Sequence, residues 1–131
     1  MKKLLYTLLL VIGAAFMAGF GPPVSGALSQ SKEGLTVSLN ITPQPPVAME
    51  PVTLLLTLTD ATGRAITGAD IAYDLTMPEM AMPPNRPPAS EEAEGQYRSR
   101  TVFTMSGKWH IKVTVNNNGR KDLFVFETSV N

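Results

Sequence analysis

Apolar and polar residues alternate along most of the chain beyond residue 34. Leu35, Val37, Leu39 and Ile41 recur at every second position, and so do Val52, Leu54, Leu56 and Leu58. The same holds for Ile71, Tyr73, Leu75 and Met77, and for Trp109, Ile111, Val113 and Val115. A period of two puts successive side chains on opposite faces of a strand, so each run predicts a half-buried β-strand. Helical spacing is absent from this part of the chain. Turn signals separate the runs at Asp60-Ala-Thr-Gly63, Thr67-Gly68, Glu94-Gly95, Ser106-Gly107 and Asn116-Asn-Asn-Gly119, and the last predicts a hairpin joining Trp109–Val115 to Lys121–Thr128.

The interval from Met77 to Tyr97 is too long for an ordinary connection. Asn85-Arg-Pro-Pro-Ala-Ser-Glu91 reads there as a poor strand, which Pro87 and Pro88 confine to an edge. The predicted strands are then roughly 34–42, 50–59, 70–77, 85–91, 97–104, 108–116 and 120–129. Seven short strands in about 100 residues predict an all-β, immunoglobulin-like β-sandwich of antiparallel strands. Trp109 is expected to be its central aromatic, which turns His110 outward. Glu91-Glu92-Ala-Glu94 lacks the Asp/Asn/Gly spacing of a calcium loop and reads as a solvated turn.

Upstream of the strands, Met1-Lys2-Lys3 precedes an apolar run from Leu4 to Phe20 that Gly21-Pro22-Pro23 breaks. Ser25 and Ala27 are small residues at signal-peptidase spacing, which would release a chain beginning at Leu28. As a helix the run would rise roughly 25 Å, slightly short of a ~30 Å hydrocarbon core, so an uncleaved anchor is the alternative. Residues 1–27 are thus read as a signal peptide or N-terminal membrane anchor, 28–33 as a linker and 34–131 as one domain. The expected location is periplasmic or otherwise extracytoplasmic. The part beyond Ala27 carries nine basic and eleven acidic residues and no basic stripe, which argues against nucleic acid as a partner. The chain has no cysteine, so disulfides, thiolate metal sites and lipid attachment through a thiol are excluded and the fold must rest on its core.

Methionine usage changes the picture. Beyond the apolar N-terminal run the methionines are Met49, Met77, Met80, Met82 and Met105, each where a strand ends or a loop begins, and three share Met77-Pro-Glu-Met-Ala-Met-Pro-Pro84. Methionine is ordinarily a flexible core filler. Grouped outside the core and among prolines, its thioethers suit a soft ion such as copper(I) or silver(I), and compete poorly for zinc or magnesium. Strand parity gathers them: with the strand at 85–91 counted, the connections 41–49, 77–84 and 105–107 share one pole. Met80 and Met82 are the first candidate ligands, with Met77, Met105 and His110 as possible assistants. Met77 continues the alternation of Leu75 and is equally good as core, Met49 is expected to pack, and an outward lone histidine more often has no role. The bland alternative for the whole group is an apolar contact patch.

Catalysis finds little support. One histidine, no cysteine, no Gly-x-Ser-x-Gly elbow and no phosphate-cradling glycine loop leave few routes to an activated nucleophile.

Gly95-x-Tyr97, then Phe103-x-Met105-x-Gly107-x-Trp109-x-Ile111-x-Val113-x-Val115, with the preceding Leu75-Thr-Met-Pro-Glu-Met-Ala-Met-Pro83, resembles the YtkA-like and FixH-like family of small exported domains over roughly residues 33 to 130. The resemblance implies an immunoglobulin-like sandwich outside the cytoplasmic membrane, in settings of copper handling, metal efflux or cytochrome oxidase assembly. By position it places the family's methionine-rich segment on Met77, Met80 and Met82 and its strand-end methionine on Met105. FixH-like members usually keep a membrane helix. Copper carriers of the CopC-like type use an N-terminal histidine that a chain beginning at Leu28 lacks. The expectation is an exported, non-catalytic copper(I)-binding domain that holds or passes the ion. Its rival is a metal-free accessory domain that contacts an efflux or oxidase-assembly partner through the same methionines.

Overall fold

Two antiparallel sheets face each other in the computed structural model, which describes residues 27–131; the expected signal or anchor segment lies outside the described residues except for Ala27. The strands are β1 (Ala27–Lys32), β2 (Leu35–Thr42), β3 (Pro51–Thr59), β4 (Asp70–Thr76), β5 (Ser90–Ala93), β6 (Gln96–Val102), β7 (Gly107–Asn117) and β8 (Arg120–Val130). One sheet has the order β1-β2-β3-β6-β5 and the other β4-β7-β8. Set aside β1, and the remaining seven strands take the ABED and CFG arrangement of a constant-type immunoglobulin sandwich, with β2 as A and β8 as G. The predicted fold class stands.

The alternating runs explain the core. Val37, Leu39, Leu54, Leu56 and Leu58 from one sheet meet Leu75, Trp109, Ile111, Val113 and Val115 from the other, all fully buried. Each fully buried side chain of this kind stabilises by about 1.5–3 kcal/mol relative to exposure. Phe103 meets Trp109 edge-on, centroids 4.9 Å apart at 64°, a favoured aromatic geometry.

The pair Gly95 and Tyr97 has a structural role. Gly95 sits at φ +74, and a Cβ there would lie 2.8 Å from the Ala65 Cβ and 3.1 Å from the Leu58 carbonyl oxygen. The Tyr97 hydroxyl donates to Ile66 O at 2.8 Å and accepts from Ala69 N at 3.1 Å. Glu91 accepts from Gly68 N and Gly95 N, one on each carboxylate oxygen. Together these bonds fasten the long β3–β4 connection to the end of β6.

Three local expectations are revised. An eighth strand, β1, occupies the stretch read as a linker and pairs with β2 from Ala27↔Asn40 to Lys32↔Leu35. Its alternate positions Gln30 and Lys32 cap the free edge of β8: Gln30 Nε2 donates to Val125 O at 2.6 Å and Lys32 Nζ donates to Leu123 O. An edge strand that works through polar side chains carries no apolar alternation to announce it. The predicted strand at 85–91 is realised later, as the four residues of β5. Pro87 and Pro88 allow the preceding stretch only one bridge, Ala72↔Pro88, because proline donates no ladder bond. Glu91-Glu92-Ala93 is part of this strand rather than a free turn, and Glu92 is held by Arg98 at 2.6 Å.

Candidate functional site

The connections 43–50, 77–89 and 103–106 meet at one pole of the sandwich and are laced together there. Met49 N donates to Phe103 O at 2.7 Å, Ala48 N donates to Asn131 O at 2.8 Å, and Asn131 N donates to Pro46 O at 2.9 Å. Asn85 ties the longest connection to both sheets: its carbonyl accepts from Leu75 N at 3.0 Å in β4, while its amide donates to Val102 O and accepts from the Thr101 hydroxyl in β6, both at 3.2 Å. Nothing in sequence periodicity marks Asn85. The available signal is the polar pair Asn85-Arg86 between Pro83-Pro84 and Pro87-Pro88.

This pole holds every methionine among the described residues. Met77 follows β4 directly and packs against the core, its methyl carbon 2.9 Å from where a Cβ on Gly107 would stand. Gly107 has φ +127, so a side chain is disfavoured there on both counts. Met82 is half-buried against the core and, with Trp109, Asn85, Thr101 and Thr104, lines a cleft of about 280 Å³. Trp109 Nε1 donates to the Met105 carbonyl at 2.9 Å, which joins the core indole to the third connection. Met80 and Met105 project outward, 48% and 41% exposed, and Met80 N donates to Met77 O at 3.3 Å in the turn between them.

Met49 was expected to pack, but it is 69% exposed at φ +66. Pro46 is buried in the same connection and takes the packing position. Left-handed backbone at a residue other than Gly, Asn or Asp is costly and persists only where the surroundings fix it; here the bond from Met49 N to Phe103 O contributes.

His110 stands apart from the inward methionines. It pairs across the sheet with Thr76 and Glu127 on the outer face, opposite to Met77, and its Nε2 lies 3.1 Å from Glu127 Oε2. Among the described residues no three His, Asp or Glu side chains form a group that could hold a metal ion. The side chains this pole can offer a metal include the thioethers of its five methionines and the isolated carboxylates of Glu50 and Glu79.

The fold and the pole define a small β-sandwich domain with a methionine- and proline-rich end. The chain belongs to the YtkA-like family, whose sequence pattern matches residues 29–114. Among solved structures it is similar to a DUF4426 family protein of Pseudomonas aeruginosa PAO1, with 14% identity and a TM-score of 0.62 over 80% of this chain and 94% of that one. It is also similar to part of a DUF4785 family protein of Legionella pneumophila, with 7% identity and a TM-score of 0.54 over 74% of this chain and 28% of that one. At such identities these likenesses speak to the fold alone. No curated protein matches the chain in sequence.

Proposed function

We propose that the methionine pole binds copper(I), with Met80 and Met82 as principal ligands and Met77 and Met105 as assistants, and that the exported domain holds the ion or passes it to a copper-handling, efflux or oxidase-assembly partner. The observation that carries this reading is the segregation of methionine. Met49, Met77, Met80, Met82 and Met105 all lie at one pole, on three connections far apart in sequence, while the opposite pole, built from residues 33–34, 60–69, 94–95 and 118–119, has none. Thioether sulfur is neutral, soft and polarisable, carries no proton to displace, and matches a monovalent soft ion. Prolines on either side of Met80 and Met82 reduce the entropy lost in ordering the loop. Met82 and the buried Trp109 line the same cleft, where sulfur finds a favourable aromatic neighbour.

His110 is the weakest member of the candidate set, because it lies on the outer sheet face with Glu127 as its partner. No reaction is assigned: one histidine and no cysteine leave few routes to an activated nucleophile. Anaerobic titration of the purified protein with copper(I) against a competing chelator tests the proposal. Retention of one copper(I) ion against the chelator supports it, and immediate loss of all copper to the chelator rejects it.

A further inference from the structure

We infer that two copies of this chain dock face to face through the outer surface of the β4-β7-β8 sheet, antiparallel and centred on β8, with Lys121 of each copy opposite Glu127 of the other. This surface is a sheet face rather than the methionine pole, and it needs no ion.

The outward positions of β8 read Lys121, Leu123, Val125 and Glu127, alternating with the buried Phe124 and Phe126. Leu123 is 48% and Val125 38% exposed, two large apolar side chains together in the middle of a strand, with a cation at one end of the run and an anion at the other. The order is self-complementary. Reversed about Phe124, Lys121 meets Glu127 and Leu123 meets Val125. A twofold axis produces that reversal, because an isologous interface pairs residue i with j and j with i. Among the described residues Lys121 has no ion-pair partner, while Glu127 holds His110 at 3.1 Å with its side chain still 58% exposed.

Such an axis can be placed in three ways, and two fail. An axis normal to the sheet joins the two β8 edges, but that edge is taken: Gln30 Nε2 and Lys32 Nζ donate to the carbonyls of Val125 and Leu123, which blocks the ladder a further strand needs. An axis along a strand sets residues against themselves. About β8 that opposes Lys121 to Lys121 and Glu127 to Glu127, and about β7 it opposes Lys108 and Lys112 to their own copies, so like charges repel.

The third axis lies between the two faces and across the strands. The registers set Val113 and Tyr73 level with Phe124, so this axis brings Lys112 over Thr114 of the other copy, Lys108 over the turn at Asn118, Asp74 over Ala72 and Asp70 over Thr76. No like charges meet, and Arg86 keeps Asp74 as its partner. Stacked sheets cross at about 30°, so the match is closest around β8, where the contact is centred. The face measures about 36 Å along β8 and about 14 Å across its three strands. That is roughly 500 Å² per copy, below the ~800 Å² of a standard interface, which makes the dimer weak and exchangeable. Its antiparallel arrangement leaves the two methionine poles at opposite ends.

Sedimentation velocity of the purified full chain in nonionic detergent, without copper and at up to roughly 0.5 mM, is the test, since a contact of this size calls for high concentration. The native protein should dimerise reversibly. Lys121→Glu and Glu127→Lys should each weaken the dimer by about tenfold or more, and Lys121→Glu/Glu127→Lys together should restore it to within about threefold, because reversing both ends regenerates the same pairing. Leu123→Asp, which puts a charge at the centre of the contact, should abolish it. Urea unfolding of each variant checks that the fold is intact. A native protein that stays monomeric throughout overturns the inference. So does a dimer indifferent to the single reversals or to Leu123→Asp, and so does a double reversal as weak as either single one.

Discussion

The indole Nε1 of Trp109 donates a 2.9 Å hydrogen bond to the main-chain oxygen of Met105. One bond thereby couples the largest fully buried side chain of the core to the connection that carries an exposed methionine at the candidate site. Met82 flanks the same indole in the cleft, so the core and the methionine pole share a wall.

Removing that wall should be costly. Trp109→Ala is expected to destabilise the domain by about 3–5 kcal/mol, because it combines lost burial with a cavity. Trp109→Phe should cost less in stability but release the Met105 carbonyl. Urea unfolding of both variants measures the difference, and equal losses would mean that the bond to Met105, absent from both, outweighs the packing that phenylalanine keeps.

Gly95→Ala tests the fastening of the β3–β4 connection. Left-handed backbone costs an L-residue roughly 1–2 kcal/mol, and the added Cβ would also meet the Ala65 Cβ at 2.8 Å. Destabilisation of about 2 kcal/mol or more is expected in chemical denaturation. A loss below about 0.5 kcal/mol would show that the turn relaxes freely, contrary to its close packing.

Asp60 supplies a pH-dependent contribution. The Thr62 hydroxyl first, then the main-chain amides of Arg64 and Thr62, hold its carboxyl below the usual carboxylate range. A depressed folded-state value means the contribution is fully present above about pH 3.9, the ordinary value of an aspartate, and is lost as pH falls through the folded value. Asp60→Asn should therefore lower stability at neutral pH, and the gap to the native protein should close in acid. A gap that stays constant down to pH 2 would show that the charge is irrelevant to the turn.

How much of this was legible in the sequence depends on what each residue faces. Leu35 to Ile41, Val52 to Leu58 and Trp109 to Val115 bury one face of a strand, so their alternation announced β2, β3 and β7 directly. β1 was silent because Gln30 and Lys32 serve an edge by hydrogen bonding. Parity brought Met105 to the same pole as Met80 and Met82 only because a strand was read between Met77 and Tyr97. That strand exists as Ser90–Ala93, after the prolines rather than across them. Met49 misled because an apolar residue next to Glu50-Pro51 gives no sign that Pro46 has already filled the packing position. Asn85 was illegible because its three partners, Leu75, Thr101 and Val102, are fixed only by the assembled fold.

Metal selectivity and pH separate thioether from imidazole ligation. A methionine site should take copper(I) and silver(I) comparably, ignore zinc, and lose little affinity between pH 7 and pH 5, since no ligand must shed a proton. His110→Ala should leave copper(I) affinity within about twofold, given the outward position of that ring beside Glu127. A steep loss of affinity between pH 7 and pH 5, or uptake of copper(II) and zinc that the alanine variant abolishes, would transfer the site to the histidine.

The most direct measurement is copper(I) affinity of the Met80→Leu/Met82→Leu double variant against the native protein, by anaerobic chelator competition, with urea unfolding run on the same samples. Leucine keeps the apolar volume and removes the sulfur, and volume-conserving exchanges of this kind usually cost less than about 1.5 kcal/mol. The account predicts that copper(I) binding is lost while the unfolding midpoint barely moves. Unchanged copper(I) affinity in the folded double variant would contradict the methionine site and leave the pole as a surface for contact alone.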